Sequence, residues 1–218
     1  MKLPVKVIGT HGGVSVGPDG ATHQALEEIA LMRILPNMTV IVPCDAVEAK
    51  AATIKAAGTG GPVYIRLGRA PIPVMTKPDD VFEIGRARVM REGSDVAIFA
   101  CGQMVHEGLL ACDALKKDGI SARLINMHTP KPIDRDAVIR AAKDTGAIVT
   151  AEEHTVLGGF GSAIAEVVAA ETPVPVKMVG VQDRFGVSGE PDELFSHFGL
   201  TAAHIAKAAK EAIKLKKK

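Results

Sequence analysis

Aromatic residues are scarce, 3% of 218 residues, and tryptophan is missing altogether. A core must therefore be built from Ala, Val, Ile, Leu and Met. Hydrophobic residues still reach 47%, which excludes a disordered chain. Cysteines are few and odd in number: Cys44, Cys101 and Cys112, with no C-x-x-C spacing. That excludes a disulfide framework and a cysteine zinc site, and it suits reduced thiols in a cytoplasmic protein. No charge of one sign dominates. The formal net charge of +1 argues against a nucleic-acid binder, which would carry a basic face. One basic cluster, Lys214, Lys216, Lys217 and Lys218, reads as a frayed, solvated helix end. No apolar run approaches the ~20 residues of a membrane span, and no signal peptide is visible.

What is present is an alternation of apolar runs and helical stretches. Val5–Ile8, Met38–Val42 and Pro62–Leu67 read as strands, and helical spacing predicts a helix over His23–Leu35. Asp45, with Glu48 three residues on, has the pattern of a capping box opening a second helix. Prolines 71, 73 and 78 mark Ala70–Asp80 as a linker. After a short extended lead-in the rhythm restarts. Strands are expected at Asp95–Cys101, Ala122–Met127, Ala147–Ala151 and Val174–Val181. Helices are expected at Val105–Lys117, Asp134–Lys143, Gly161–Ala170 and from Ala202 to about Leu215. All-apolar strands between helices imply an α/β fold with largely parallel sheets covered on both faces. Residues 82–218 make a complete α/β domain, whereas residues 1–76 offer only three strands and two helices. A sheet that small has an open edge and one uncovered face, so it is either completed by a partner or the remnant of a larger domain.

The densest polar cluster runs from Thr10 to Gln24, between the first strand and the first helix. Open α/β sheets collect ligands at such carboxyl ends. Glycines 12, 13, 17 and 20 let the backbone bend and approach a ligand closely. His11, Asp19 and His23 could bind a metal, shuttle protons or hold sugar hydroxyls, or could simply make caps and turns. Arg66 and Arg69 follow the third strand, where a guanidinium suits a phosphate. Glu152, Glu153 and His154 follow the Ala147–Ala151 strand. Adjacent residues there point in different directions, so a structural or interface role is expected. Asp183–Gly186 reads as an ordered loop with an internal ion pair. His106, His128, His197 and His204 stand alone and read as surface or core residues.

The segment Thr10-His11-Gly12-Gly13 through Gly17-Pro18-Asp19-Gly20-Ala21-Thr22-His23-Gln24 resembles the transketolase signature T-H-D-S-x-x-x-G-E-D-G-P-T-H-Q. Arg33 through Pro36-Asn37 and Pro43-Cys44-Asp45-Ala46-Val47-Glu48 resemble that family's continuation. So do Ala151–His154, Gly158–Gly161 and Asp183–Gly189 in the second half. The wording is most similar to the C-terminal subunit of split transketolases. Deoxyxylulose-phosphate synthases rank second, and the beta chains of 2-oxo acid dehydrogenases match the first motif less well.

The resemblance implies an incomplete pyrimidine-binding-type domain followed by a C-terminal domain with a mostly parallel five-stranded sheet. It implies transfer of a two-carbon ketol unit between sugar phosphates of the pentose phosphate pathway, with thiamine diphosphate and Mg2+ in the full enzyme. His11 and His23 match the family's catalytic histidines, Asp19 a residue that contacts substrate hydroxyl, and Arg69 the phosphate-binding arginine. Arg66 is the fallback for that last role. Gly12, Pro18 and Ala21 depart from the signature. The family's activating glutamate and aromatic patch lie upstream of the Thr-His pair, and its G-D-G…N diphosphate pattern does not occur here. The expected partners are therefore an N-terminal transketolase subunit and a second copy of the chain. By itself the chain is expected to bind no cofactor and to be inactive. A non-catalytic assembly domain is the alternative.

Overall fold

The computed structural model describes residues 3–216; Lys217 and Lys218 of the basic tail lie outside them. The first unit holds β1 (Lys6–Gly9), α1 (Glu28–Ile34), β2 (Thr39–Ile41), α2 (Ala46–Ala57) and β3 (Val63–Arg66). Its three strands are parallel in the order β1-β3-β2. The second unit holds β4 (Arg88–Arg91), β5 (Val96–Ala100), α3 (Met104–Lys117), β6 (Ala122–Asn126), α4 (Arg135–Thr145) and β7 (Ile148–Thr155). It continues through α5 (Phe160–Glu171), β8 (Val176–Val181), α6 (Pro191–Phe198) and α7 (Ala202–Lys214). The five-stranded sheet runs β4-β6-β5-β7-β8, parallel except for β4 against β6. The α/β class with a small parallel sheet and a mostly parallel five-stranded one is as the sequence implied.

An open edge is expected of so small a sheet, and β1 supplies it, with Val5, Val7 and Ile8 between 41% and 50% exposed. The opposite edge is closed by the second unit. Beside β2, Val40 N donates to Lys131 O and Val42 N to His128 O, both at 2.8 Å. Apolar packing crosses the same boundary. Ile29, Val40, Val42 and Tyr64 share one cluster with Phe99, Met127, Ile148 and Phe160. The small sheet is thus stabilised by burying its apolar face against a larger neighbour.

Four local expectations need correction. The helix predicted over His23–Leu35 begins only at Glu28. Ala25 pairs with Gly12 in an isolated bridge, and Leu26 O accepts from Thr155 N at 2.9 Å, so this backbone stays extended. The strand predicted to end at Ala151 continues to Thr155, because Glu152, Glu153 and His154 all find buried partners. Among the described residues, Asp183–Gly186 shows no internal ion pair; Arg184 lies 5.2 Å over the Phe198 ring and reaches His197 O. The tail is tethered at Lys216, whose Nζ donates to Asp95 O. Helix α6 was not anticipated, although Glu190 and Glu193 form a complete capping box with Pro191 in the first turn.

Candidate functional site

The Thr10–Gln24 segment leaves β1 and closes into a loop at its neck. Gly12 N donates to Leu67 O at 3.0 Å, and Gly13 N to Ala25 O at 2.8 Å. Between these ties a 3-10 turn spans Val14–Asp19, interrupted at Gly17, whose φ of 81° only glycine adopts readily. Gln24 fills the interior. Its Nε2 donates to Val14 O at 3.2 Å and to Val187 O at 2.9 Å, which ties the loop to the 183–189 segment.

The residues singled out in the sequence fall into two groups. His11, Asp19, His23 and Arg69 are exposed on or beside this loop. His11 Nδ1 lies 2.9 Å from Thr10 Oγ1, and His23 Nδ1 lies 3.0 Å from Thr22 Oγ1. Each ring is thereby oriented by its neighbouring threonine. Both histidines sit close to the neck that joins Gly12 to Ala25. Asp19 and Arg69 form an ion pair at 2.8 Å, and Arg69 Nη1 also donates to Val16 O at 2.9 Å. Their side chains remain 39% and 44% exposed, so the pair contributes on the order of 1 kcal/mol or less and opens easily for an anion.

Arg66 belongs to the second group, with only 5% of its side chain exposed. Its Nε pairs with Glu28, and Nη2 donates to Glu153 O at 2.7 Å and to Ala25 O at 3.3 Å. Burial works against its charge, but the Glu28 and Glu153 carboxylates outweigh that and push its pKa up.

Sequence reasoning gave Glu152, Glu153 and His154 a structural or interface role without naming their partners. Along β7 their side chains alternate. Glu152 faces α5 and accepts from Phe160 N and Gly161 N at 2.6 and 2.7 Å. Burial pushes its carboxyl up to about 8 against those two hydrogen bonds. His154 accepts from Ile29 N through Nε2 at 3.1 Å, which joins β7 to α1. Burial, with Arg66 nearby, pushes it down to about 4. Glu153 faces the opposite way, into the loop. Gln103, which no reading of the sequence singled out, lies beside it and bonds both Glu153 and Ser15. The available signal was the placement of three polar residues within an apolar strand, since buried charges require partners.

A cavity of about 320 Å3 lies where the carboxyl ends of both sheets meet, lined by Pro43, Leu67, Ile72, Gly102, Gln103 and Glu153 among others. Its lining does not include the four exposed residues. Among the described residues, no group of three or more His, Cys, Asp or Glu side chains could hold a metal ion, so the metal reading of His11, Asp19 and His23 finds no assembled ligand set. Among the described residues, no helix is long and apolar enough to cross a membrane.

Known proteins share both halves of this architecture. The family model for the transketolase C-terminal domain matches residues 85–205, and that for the transketolase pyrimidine-binding domain matches residues 1–74. A 6-deoxy-6-sulfo-D-fructose transketolase subunit of Clostridium sp. (strain MSTE9) is 45% identical over 214 residues, covering 98% of this chain and 66% of the relative. An apulose-4-phosphate transketolase subunit of Phocaeicola vulgatus is 39% identical over 211 residues, covering 96% and 67%. A solved structure described as a split gene transketolase, inactive beta4 tetramer, superposes with a TM-score of 0.91 at 48% identity, covering 99% of this chain and 68% of that one. A Pichia stipitis transketolase mutant shares the fold with a TM-score of 0.80 at 22% identity. The chain thus spans about two thirds of the length of the split relatives it matches.

Proposed function

The chain belongs to the transketolase family, and from that premise we propose that it supplies the substrate-contacting half of a split transketolase. In this reading the upstream part of the pyrimidine-binding domain and an N-terminal partner subunit complete the active site, and the assembly moves a two-carbon ketol unit between sugar phosphates. The family's cofactor, thiamine diphosphate, supplies the carbanion chemistry when bound. The donor set here suits substrate better than the metal-bound diphosphate. It comprises two histidines, an exposed carboxylate and an exposed guanidinium, and among the described residues these are not assembled with others into a set of three or more metal ligands. The reading therefore gives Mg2+ and the diphosphate to the partner.

Each residue has a role that its chemistry suits. Arg69 takes the substrate phosphate with two parallel N–H donors. Asp19, released from Arg69, accepts from a sugar hydroxyl. His11 and His23 present Nε2 to substrate oxygens, and His23 moves a proton at that atom. Arg66 keeps the loop neck in place beneath them.

The observation that carries the reading is the weak Asp19–Arg69 pair exposed beside the loop neck that carries both histidines. The test joins the chain to the upstream part of a split-transketolase pyrimidine-binding domain, which carries the activating glutamate, and mixes it with an N-terminal split-transketolase subunit, thiamine diphosphate, Mg2+, xylulose 5-phosphate and ribose 5-phosphate. Turnover is expected in the mixture and not with the chain alone. Absence of turnover in a mixture that co-elutes as one assembly would sink the reading. It would leave the chain a non-catalytic assembly domain, in keeping with the inactive tetramer formed by one relative.

A further inference from the structure

The turn Val14–Asp19 ends in Asp19, and Arg69 ties that end. Its other end is tied from the second unit. Glu153 Oε1 accepts from Ser15 N at 2.5 Å. Glu153 Oε2 accepts from Gln103 Nε2, and the same amide donates to Ser15 Oγ at 2.7 Å. The carboxylate lies so close to Gly13, whose φ is 93°, that a side chain there would collide with it. Arg66 completes the enclosure, since its Nη2 bonds both Glu153 O and Ala25 O, and Ala25 O also accepts from Gly13 N.

We propose that Glu153 is a positioning residue for the candidate site, fixing the 3-10 turn through Ser15 so that Asp19 meets Arg69 and the substrate. Glu153 touches no substrate in this arrangement and acts through the turn. An apolar side chain of similar volume would fill the strand without the cost of burying a carboxylate. It would leave Ser15 N and the Gln103 amide without their acceptor, and the turn without its anchor. Burial raises the Glu153 carboxyl, and the Arg66 charge and the Ser15 and Gln103 bonds oppose that rise. The carboxyl group is thus held by the same partners that fix the loop.

This inference rests on the proposed ketol transfer for its kinetic arm, and a second arm needs no activity. In the assembled enzyme, Glu153→Ala is expected to raise the KM of the phosphorylated donor by about tenfold, a loss of transition-state and ground-state binding alike. Glu153→Gln, which keeps an acceptor for Ser15 N, should stay within about threefold of the unmodified enzyme on the same scale. Combining Glu153→Ala with Arg69→Ala should raise KM no further than Arg69→Ala alone, because coupled residues are not additive. A merely structural residue would lower the Tm and the active fraction, leave KM alone and give additive losses. In the chain by itself, amide exchange at residues 15–19 should quicken about tenfold in Glu153→Ala, because local opening follows the lost bond. If Glu153→Ala fails to fold, Gln103→Ala, which removes only the bridge, is read in the same two ways with smaller shifts. No turnover in the unmodified assembly would remove the functional reading and leave the exchange arm to decide. Unchanged exchange at residues 15–19, or an unchanged KM in a folded variant, overturns the inference.

Discussion

Arg69 and Arg66 stand three residues apart, and the fold gives them opposite environments. Arg66 ends β3 and is buried in ionic and backbone bonds, whereas Arg69 lies beyond the strand in solvent, paired with Asp19. The desolvation cost of exchanging partners is large for the first and small for the second. Arg69→Ala should therefore raise KM for a phosphorylated substrate by at least about tenfold and change kcat little, as steady-state assays of the assembly would show. An equal KM for wild type and variant would refute the phosphate role. Composition and motif placed His11, Asp19, His23 and Arg69 on or beside one loop. The resemblance ranked Arg69 above Arg66, but the burial of Arg66 was not legible, because it depends on Glu28 and Glu153, which lie 38 and 87 residues away in sequence.

Among the elements, β7 is where local reading stopped short. An apolar run ending at Ala151 is a complete strand by pattern, with Glu152-Glu153-His154 falling beyond it. The strand continues because each polar side chain meets a partner from another element: α5 for Glu152, the loop and Gln103 for Glu153, and α1 for His154. His154 carries a pH signature. Its Nε2 accepts from Ile29 N and cannot be protonated without losing that bond. Its pKa lies near 4 in the fold against an ordinary 6.5, so between those values the unfolded chain binds more protons. The stability it contributes is full above pH 6.5 and is lost as pH falls through about 4. His154→Leu should cost about 1–3 kcal/mol at neutral pH, because Ile29 N is left unpaired. Urea denaturation at pH 7 and pH 5 should then show a smaller acid-side decline in the variant than in wild type.

Across the whole molecule, two units are joined by a shared core and by a connector fixed in place. Asp45 caps α2 by accepting from Glu48 N at 2.8 Å and holds the connector by accepting from Met75 N and Thr76 N at 2.7 and 2.6 Å. Glu48, on the same turn, accepts from Asn126 Nδ2 of β6 at 2.8 Å. Asp45→Ala thus removes a cap and the connector bonds together. It should cost about 2–4 kcal/mol in chemical denaturation. Native-state proteolysis should shift toward cleavage near residues 70–80. A loss under about 0.5 kcal/mol would mean that the connector is held by packing alone.

The sequence by itself determined the alternation of strands and helices, the parallel character of the sheets, the proline-marked connector and the loop that carries the polar motif. Those features rest on periodicity, turn chemistry and spacing within a few residues. Tertiary structure alone decided where α1 begins, how far β7 runs, which arginine faces solvent, and that Glu153 and Gln103 of one unit hold the loop of the other. Each of these depends on desolvation and hydrogen bonding between groups tens of residues apart, and local sequence pattern does not encode such pairings.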